Sequence, residues 1–418
     1  MYKFAHLADC HLGANRELVL QNLELAAFKI ALDKCIEEKV NFVVVSGDLF
    51  HANIPDMAVT NEAVKKMRQV KDEGIPIYAI YGSHDYSPNE TSMVDVLDSA
   101  GLISKIVRGK MQEDKLELEF VVDPSTGAKL AGISARKRGL EKDYYEILDR
   151  DKLENEKGFK IFVFHSAITE LKPELLSGMD SIPLSLLPKN FDYYAGGHIH
   201  QSAAKKLEGY GAIVYPGPLF AGYPRDLEAS AKGEKRGFYV VSFDEKIERV
   251  DFHETPVCNF AYIEYDASNK DSVQAQRQLL EKLEEGNVRG KLVILKIKGE
   301  LSAGKTSDIS SAQLRDLLVE KGAIYLSINR FGLTSKEYAG IKVIAEDVST
   351  IEQKLFAESI GSVKISADKL KGESGVKIAV EMLRLMRQEE KTNETKKDYE
   401  DRMINSGLEI LGLKREPQ

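Results

Sequence analysis

The sequence predicts an α/β fold: a helix-flanked pair of sheets, then a small β-α-β-α-β unit, then a helical tail. Three observations carry this reading. Short apolar runs alternate with helical spacing through the first hundred residues, as α/β construction requires. Beyond residue 116 the apolar runs follow one another with fewer helical stretches between them, which suits two packed sheets better than one doubly wound sheet. Beyond residue 255 the strand and helix pattern starts again.

The run from Phe4 to Ala8 predicts the first strand. A helix follows with Phe28, Leu32 and Cys35 on one face, and the buried run from Phe42 to Val45 is the second strand. Val59, Ala63, Met67 and Val70 share the face of a second helix, and Gly74 suits its C-terminal stop. Runs at Ile77 to Tyr81, Leu116 to Val122, Ile161 to Phe164, Tyr193 to Ala195, Ala212 to Tyr215 and Phe238 to Phe243 complete the strands of the first domain. The second unit reads as strand from Phe260, helix from Ser272, strand from Lys291, helix from Ala312 and strand from Ala323. Boundaries near 255 and 345 give domains of 1–255, 256–345 and 346–418. In the tail, Ser349 and Glu352 resemble a capping box next to Val348, Ile351 and Leu355, and Val376, Ala379, Leu383 and Met386 form a second stripe. A polar stretch from Gln388 to Lys397 precedes another short helix at Tyr399 and Met403. A helix-loop-helix of this kind can dock a partner or pack on its own chain.

At 418 residues, 43% hydrophobic and 30% charged, the chain has the composition of a soluble globular protein. No apolar run approaches the roughly 20 residues that span a bilayer, and Met1 to His6 lacks signal-peptide character, so a cytoplasmic location is expected. Three scattered cysteines, Cys10, Cys35 and Cys258, fit a reducing compartment and argue against a disulfide framework or a cysteine zinc site. A net charge of −8 does not favour nucleic acid by bulk field, but a metal centre supplies local positive charge. Arg136-Lys137-Arg138 is the one compact basic cluster of the N-terminal half, readable as a solvated loop or a phosphate contact.

The histidines carry the functional signal. Six of eight sit where apolar runs end, in Asp9-Cys10-His11, Gly47-Asp48-Leu49-Phe50-His51, Gly82-Ser83-His84-Asp85, Phe164-His165-Ser166 and Gly197-His198-Ile199-His200. Imidazoles and carboxylates gathered at strand ends can hold divalent transition ions. Gly47, Gly82, Gly196 and Gly197 allow the tight turns that would aim them inward. A single one of these histidines is more simply a hydrogen-bonded core residue; the ordered set is not.

This ordered set resembles the calcineurin-like metallophosphoesterase superfamily over roughly residues 1 to 250. The resemblance implies a two-sheet metallophosphoesterase core holding two divalent ions, with Mn²⁺ the expected metal. It implies that Asp9, His11 and His200 hold one ion, that His165, His198 and residue 83 hold the other, and that Asp48 bridges them. Asp9-Cys10-His11-Leu12-Gly13 and Gly47-Asp48-Leu49-Phe50 look like the SbcD and Mre-type DNA double-strand-break repair nucleases. In those a histidine three residues after the bridging aspartate, here His51, supports a catalytic histidine, here His84. Protein phosphatases of the superfamily carry Asp-Arg-Gly where this chain has His51-Ala52-Asn53. The second unit then looks like that family's capping domain, and the tail like its docking segment for a coiled-coil, SMC-like ATPase. The implied function is a DNA exonuclease and endonuclease for end processing, working as a homodimer. One departure stands out: the family has Asn where this chain has Ser83, and a hydroxyl reaches less far than a carboxamide oxygen. That predicts a weaker second metal site. The competing readings are a phosphodiesterase or phosphatase for small molecules or protein, and a catalytically weak DNA-binding scaffold.

Gly299 to Thr306 matches the P-loop pattern after a strand. No aspartate follows the next strand, and too little chain remains for a nucleotide-binding sheet, so a polar strand-to-helix turn is the reading taken. His6 and His253 are read as structural.

Overall fold

The computed structural model describes residues 1–85, 91–136, 139–339, 348–362, 365, 367–388 and 396–413. Lys137 and Arg138 of the basic cluster, the expected boundary near 345 and most of the stretch 388–397 lie outside them. In chain order the strands are β1 (Tyr2–Leu7), β2 (Phe42–Ser46), β3 (Ile77–Ile80), β4 (Ser104–Lys105), β5 (Gly109–Gln112), β6 (Lys115–Leu118), β7 (Val121–Val122), β8 (Lys129–Ile133), β9 (Lys160–His165), β10 (Tyr193–Gly197), β11 (Ala203–Lys206), β12 (Ala212–Tyr215), β13 (Gly237–Phe243) and β14 (Ile247–Glu254). They build two six-stranded sheets, ordered β14-β13-β1-β2-β3-β4 and β11-β12-β10-β9-β8-β7, and β5 pairs with β6 as a separate hairpin.

The two sheets pack face to face. Phe4, Phe42, Val44 and Tyr78 of the first share one core with Ile161, Val163, Tyr193 and Val214 of the second. Phe4 meets the edge of Tyr193 with ring centroids 5.1 Å apart. Each such side chain contributes about 1.5–3 kcal/mol on burial. Two helices follow the first two strands. In α1 (Leu18–Glu37) the buried stripe runs through Ala27, Phe28, Ala31, Leu32 and Cys35. In α2 (Met57–Asp72) it runs through Val59, Ala63, Met67 and Val70. The side chain of Asp56 caps α2 by accepting from the amides of Ala58 and Val59.

Strands β1, β2 and β3 run parallel, as do β8, β9 and β10. The register sets Leu7 beside Val45, Ser46 beside Ile80, and Gly197 beside His165. The carboxyl ends of both parallel sets therefore open at the same rim, where α/β sheets place their ligands. That rim holds the histidine motifs.

The run from Leu116 to Val122 is not one strand. It divides into β6 and β7, which belong to different sheets. Leu118 and Val121 are both buried, but residues three apart on a continuous strand face opposite ways. The break turns both inward.

The chain divides into two compact units, Met1–Tyr262 with Gly290–Leu292, and Ile263–Arg289 with Val293–Gln418. In the second, β15 (Asn259–Asp266), β16 (Lys291–Leu301) and β17 (Tyr325–Asn329) form a sheet, and the short β18 (Leu333–Ser335), not foreseen from sequence, pairs with β16. Helices α7 (Ser272–Glu285) and α8 (Ser311–Glu320) bury Ala275, Leu279, Leu283, Leu314 and Leu318. Among the tail helices, α11 (Gly372–Met386) packs on both α10 (Val348–Ser362) and α12 (Lys396–Leu411). On α11 the buried residues are not the single expected stripe: Val380 and Leu385 are buried while Met386 is exposed. A helix gripped by two neighbours buries more than one face.

The P-loop-like stretch holds no anion cradle. Gly299 to Leu301 belong to β16. The amide of Gly304 donates to Glu337 Oε1 at 2.8 Å and that of Lys305 to Asp308 Oδ2 at 2.7 Å. Carboxylates occupy the donors that a phosphate would need.

Candidate metal centre

The rim is built on strained backbone. Asp9, His11, Asp48 and His198 have φ of 49°, 45°, 50° and 84°. Non-glycine residues held there cost on the order of 1–3 kcal/mol each and persist only where the surroundings fix them. Here hydrogen bonds do so. The amide of Asp9 donates to the Gly47 carbonyl at 3.1 Å, that of His11 to the Asp48 carbonyl at 2.9 Å, and that of His198 to Asp9 Oδ1 at 2.9 Å. Gly47 (φ 90°) and Gly82 are required by close approach: a Cβ at Gly47 would lie 2.4 Å from His165 Nδ1, and one at Gly82 would lie 2.0 Å from Asp48 Oδ1. Asp85 pins the rim from behind, accepting from the amides of Leu49, Phe50 and Gly82 at 3.0–3.1 Å. Burial, with Asp48 nearby, pushes its carboxyl up to about 7.

The imidazoles are anchored by Nδ1 and converge by Nε2. His165 Nδ1 donates to the Ser46 carbonyl at 2.8 Å, and His200 Nδ1 donates to Asp226 Oδ2 at 2.8 Å. A carbonyl and a carboxylate only accept, so in the neutral rings Nε2 is a bare lone pair. His11 Nδ1 lies 3.3 Å from His51 Nδ1, and the same tautomer there completes the pattern. The free nitrogens then face one another and the carboxylates. His11 Nε2 is 3.1 Å from His200 Nε2. His165 Nε2 is 3.1 Å from Asp48 Oδ2 and 3.9 Å from Asp9 Oδ1, and it is fully buried with no hydrogen-bond partner. Asp48 Oδ2 also lies 3.7 Å from His11 Nε2.

Lone pairs and carboxylate oxygens this close repel unless a cation lies among them. Three donor groups lie close enough to share an ion, Asp9 with His11 and His200, Asp9 with Asp48 and His165, and His11 with His51 and His84; the first two combine imidazole with carboxylate. Imidazole nitrogen and carboxylate oxygen suit a divalent transition ion. The residues present fit the expected group.

The electrostatics agree. Burial pushes Asp9 up, and burial drives His11 well below the ordinary imidazole range. Burial, with His165 adding to it, lowers His198 to about 3. At His165 burial acts downward, yet Asp48 and Asp9 outweigh it and hold the ring up at about 10. At Asp48 burial acts upward and His165 outweighs it, keeping the carboxylate well below its usual range. A proton on His165 beside Asp48 thus stands in for a cation, and an ion binding there would displace it.

His198 and Ser83 stand at the edge of this cluster. The His198 ring lies 5.3 Å from that of His165, centroid to centroid. Ser83 Oγ is 3.5 Å from Asp48 Oδ2. Both line a cavity of about 500 Å³ with Arg136, Glu141, His165 and Ser166. The amide of His84 donates to Asp48 Oδ1 at 2.8 Å. Contact between His51 and His84 is made by backbone and ring face: His84 Nδ1 donates to the His51 carbonyl at 2.9 Å, and the rings stack at 4.5 Å and 26°.

Two residues at the site were not assigned from sequence. Asp226 anchors His200, and the Tyr223 hydroxyl lies 2.8 Å from His84 Nε2. Asp226 sits in the first turn of α6 (Pro224–Ala231) and Tyr223 is the residue just before it; Asp226 also accepts from the amides of Gly222 and Tyr223. Proline at the first helical position with aspartate two residues on is a readable helix start, but nothing in that signal points to the histidines. His6 is structural, with Nδ1 2.9 Å from the Tyr193 hydroxyl and Nε2 2.8 Å from Ser46 Oγ.

Residues 2–202 match the family model of the calcineurin-like phosphoesterases. The chain is 28% identical over 337 residues to the DNA double-strand break repair protein Mre11 of Archaeoglobus fulgidus, covering 75% of this chain and 72% of that protein. It is 25% identical over 363 residues to the Mre11 of Sulfurisphaera tokodaii (84% and 86% covered) and 27% identical over 328 residues to that of Sulfolobus acidocaldarius (77% and 81%). Among the described residues no helix is long and apolar enough to cross a membrane.

Proposed function

Because residues 2–202 form a calcineurin-like phosphoesterase domain, we propose that the chain is a metal-dependent phosphodiesterase acting on DNA, a nuclease that processes double-strand-break ends. The observation that carries this is the buried convergence of Asp9, Asp48, His11, His165 and His200. In this reading Asp9, His11 and His200 would hold one ion, His165, His198 and Ser83 would hold the second, and Asp48 would serve both. Mn²⁺ is the proposed metal. Bound there, two divalent ions would supply positive charge for the phosphate and lower the pKa of a water nucleophile. The chain's own residues do the rest. Ser46 and Asp226 keep the imidazoles in the tautomer that presents Nε2, and His51 and Asp48 fix His84 at the edge of the cluster. His84 supplies the proton for the leaving oxygen.

The partners belong to the same proposal. Similarity to the Mre11 proteins over three quarters or more of the chain supports DNA as substrate. A coiled-coil, SMC-like ATPase is the proposed partner of the tail helices, in a cytoplasmic complex. A homodimer is proposed as the assembly.

The test is Mn²⁺-dependent digestion of an end-labelled duplex, with and without a candidate ATPase, beside a small chromogenic phosphodiester. Cleavage of the duplex that stops on chelation supports the reading. Turnover of the small ester with no action on DNA at any ATPase concentration overturns it in favour of a small-molecule phosphodiesterase.

A further inference from the structure

Both ring nitrogens of His84 are engaged by the protein. Nδ1 donates to the His51 carbonyl at 2.9 Å, and Nε2 meets the Tyr223 hydroxyl at 2.8 Å. The ring is held in place, stacked on His51 and set edge-on to His11 with centroids 5.0 Å apart at 86°. Tyr223 is held as well. Its amide donates to Asp226 Oδ2 at 2.9 Å, the carboxylate that anchors His200. Its ring lies 5.3 Å from that of His200 and 5.6 Å from that of His11. The phenol is thus fixed beside the rings of two candidate ligands, half-buried, with its oxygen on His84 Nε2. An imidazole so engaged has no N–H to present directly to a departing group. When the ring carries both protons, the phenol accepts from Nε2–H and is left to donate its own hydrogen outward; when Nε2 is bare, the phenol donates to the ring instead.

Resting on the role given to His84 above, we propose that Tyr223 is the catalytic acid that touches the leaving sugar oxygen, with His84 behind it as the proton source. As the P–O bond breaks, its electron pair goes to the leaving oxygen, which takes the Tyr223 O–H proton. The phenol oxygen takes the Nε2 proton of His84. His84 is left neutral, with Nδ1–H still on the His51 carbonyl, and regains a proton from solvent. Nothing is oxidised or reduced.

The experiment compares Tyr223→Phe, His84→Gln and the double variant of the full chain, with Mn²⁺, on two substrates. One is a labelled duplex. The other is bis(p-nitrophenyl) phosphate, whose nitrophenolate leaves without a proton. Metal content and melting temperature of Tyr223→Phe are to match the parent chain, which separates a lost hydroxyl from a lost fold. On DNA each single variant is to lose about 100-fold in kcat with little change in KM. The double variant is to lose no more than either, because the two groups act in series. On the nitrophenyl ester the loss is to be at least tenfold smaller. Tyr223→Phe cleaving DNA as fast as the parent or faster, while His84→Gln is impaired, overturns the proposal, because His84 then acts directly. Equal losses on both substrates also overturn it, since a merely structural hydroxyl behaves that way. If instead His84→Gln keeps full activity on DNA, it is the assignment of His84 that fails, and that result is distinct from the first.

Discussion

His200 Nδ1 lies 2.8 Å from Asp226 Oδ2, and both side chains are buried. The pair fixes which nitrogen of His200 faces the cluster. The carboxylate is held below its usual range: burial acts upward, and the bond to His200 outweighs it. Outer carboxylates of this kind orient a ligand and raise its basicity, and their loss costs 10–100-fold in affinity. Asp226→Asn keeps an oxygen for the amides of Gly222 and Tyr223 and so spares the start of α6. We expect Mn²⁺ affinity, measured by isothermal titration, to fall about 10-fold with the melting temperature of the metal-free protein nearly unchanged. An unchanged affinity would mean that His200 does not ligate through Nε2.

Ser83 gives a prediction of the opposite sign. Its Oγ stops 3.5 Å from Asp48 Oδ2, at the lip of the cavity it shares with His165 and His198. A carboxamide adds one carbon of reach and a stronger oxygen donor. Ser83→Asn should tighten the weaker of two Mn²⁺ binding steps about 10-fold, an order set by the effect of a single well-placed ligand contact. Equilibrium dialysis against Mn²⁺ reads it, and no change in the weaker step would remove residue 83 from the ligand set.

Much of the rim was legible because its residues are local. Asp9, His11, Asp48, His165, His198 and His200 each follow an apolar run by one to five residues, and parallel strands carry such ends to one edge. What was not legible depends on contacts between distant segments. Asp226 is 26 residues from His200, and Tyr223 is 139 from His84, and neither spacing has a period to read. The same limit explains the strand between Leu116 and Val122, whose continuity was broken by the demand to bury Leu118 and Val121 together. On α11 the stripe was misplaced because sequence shows the apolar residues of a helix but not the number of neighbours it has.

His84 can be separated from metal binding. Neither of its nitrogens faces the Asp9, Asp48, His165 and His200 atoms; they face the His51 carbonyl and the Tyr223 hydroxyl. His84→Gln should therefore leave metal content, read by elemental analysis, close to two ions per chain. Nuclease activity should fall by about 100-fold or more, the usual worth of a positioned proton donor. Loss of metal together with activity would show that His84 belongs to the ligand set.

Acid sensitivity of the fold is set away from the candidate metal site as well. His6 is wholly buried between Tyr193 and Ser46, and burial lowers its imidazole to about 3 from an ordinary 6.5, against a smaller upward pull from the Gly196 backbone. The native state therefore holds His6 neutral at pH values where the unfolded chain takes up a proton. Its contribution is complete above about pH 6.5 and is lost progressively as pH falls toward 3, and by pH 5 the loss is about 2 kcal/mol. His11 and His198 act in the same direction, and His165, held up at about 10, acts in the opposite one. These three are common to the parent and to His6→Gln, so they cancel when the two are compared. Urea unfolding in the presence of a chelator, at pH 7 and pH 5, should show the parent losing about 2 kcal/mol more than His6→Gln between the two conditions. Equal losses would mean that His6 takes up a proton as readily in the folded chain as in the unfolded one.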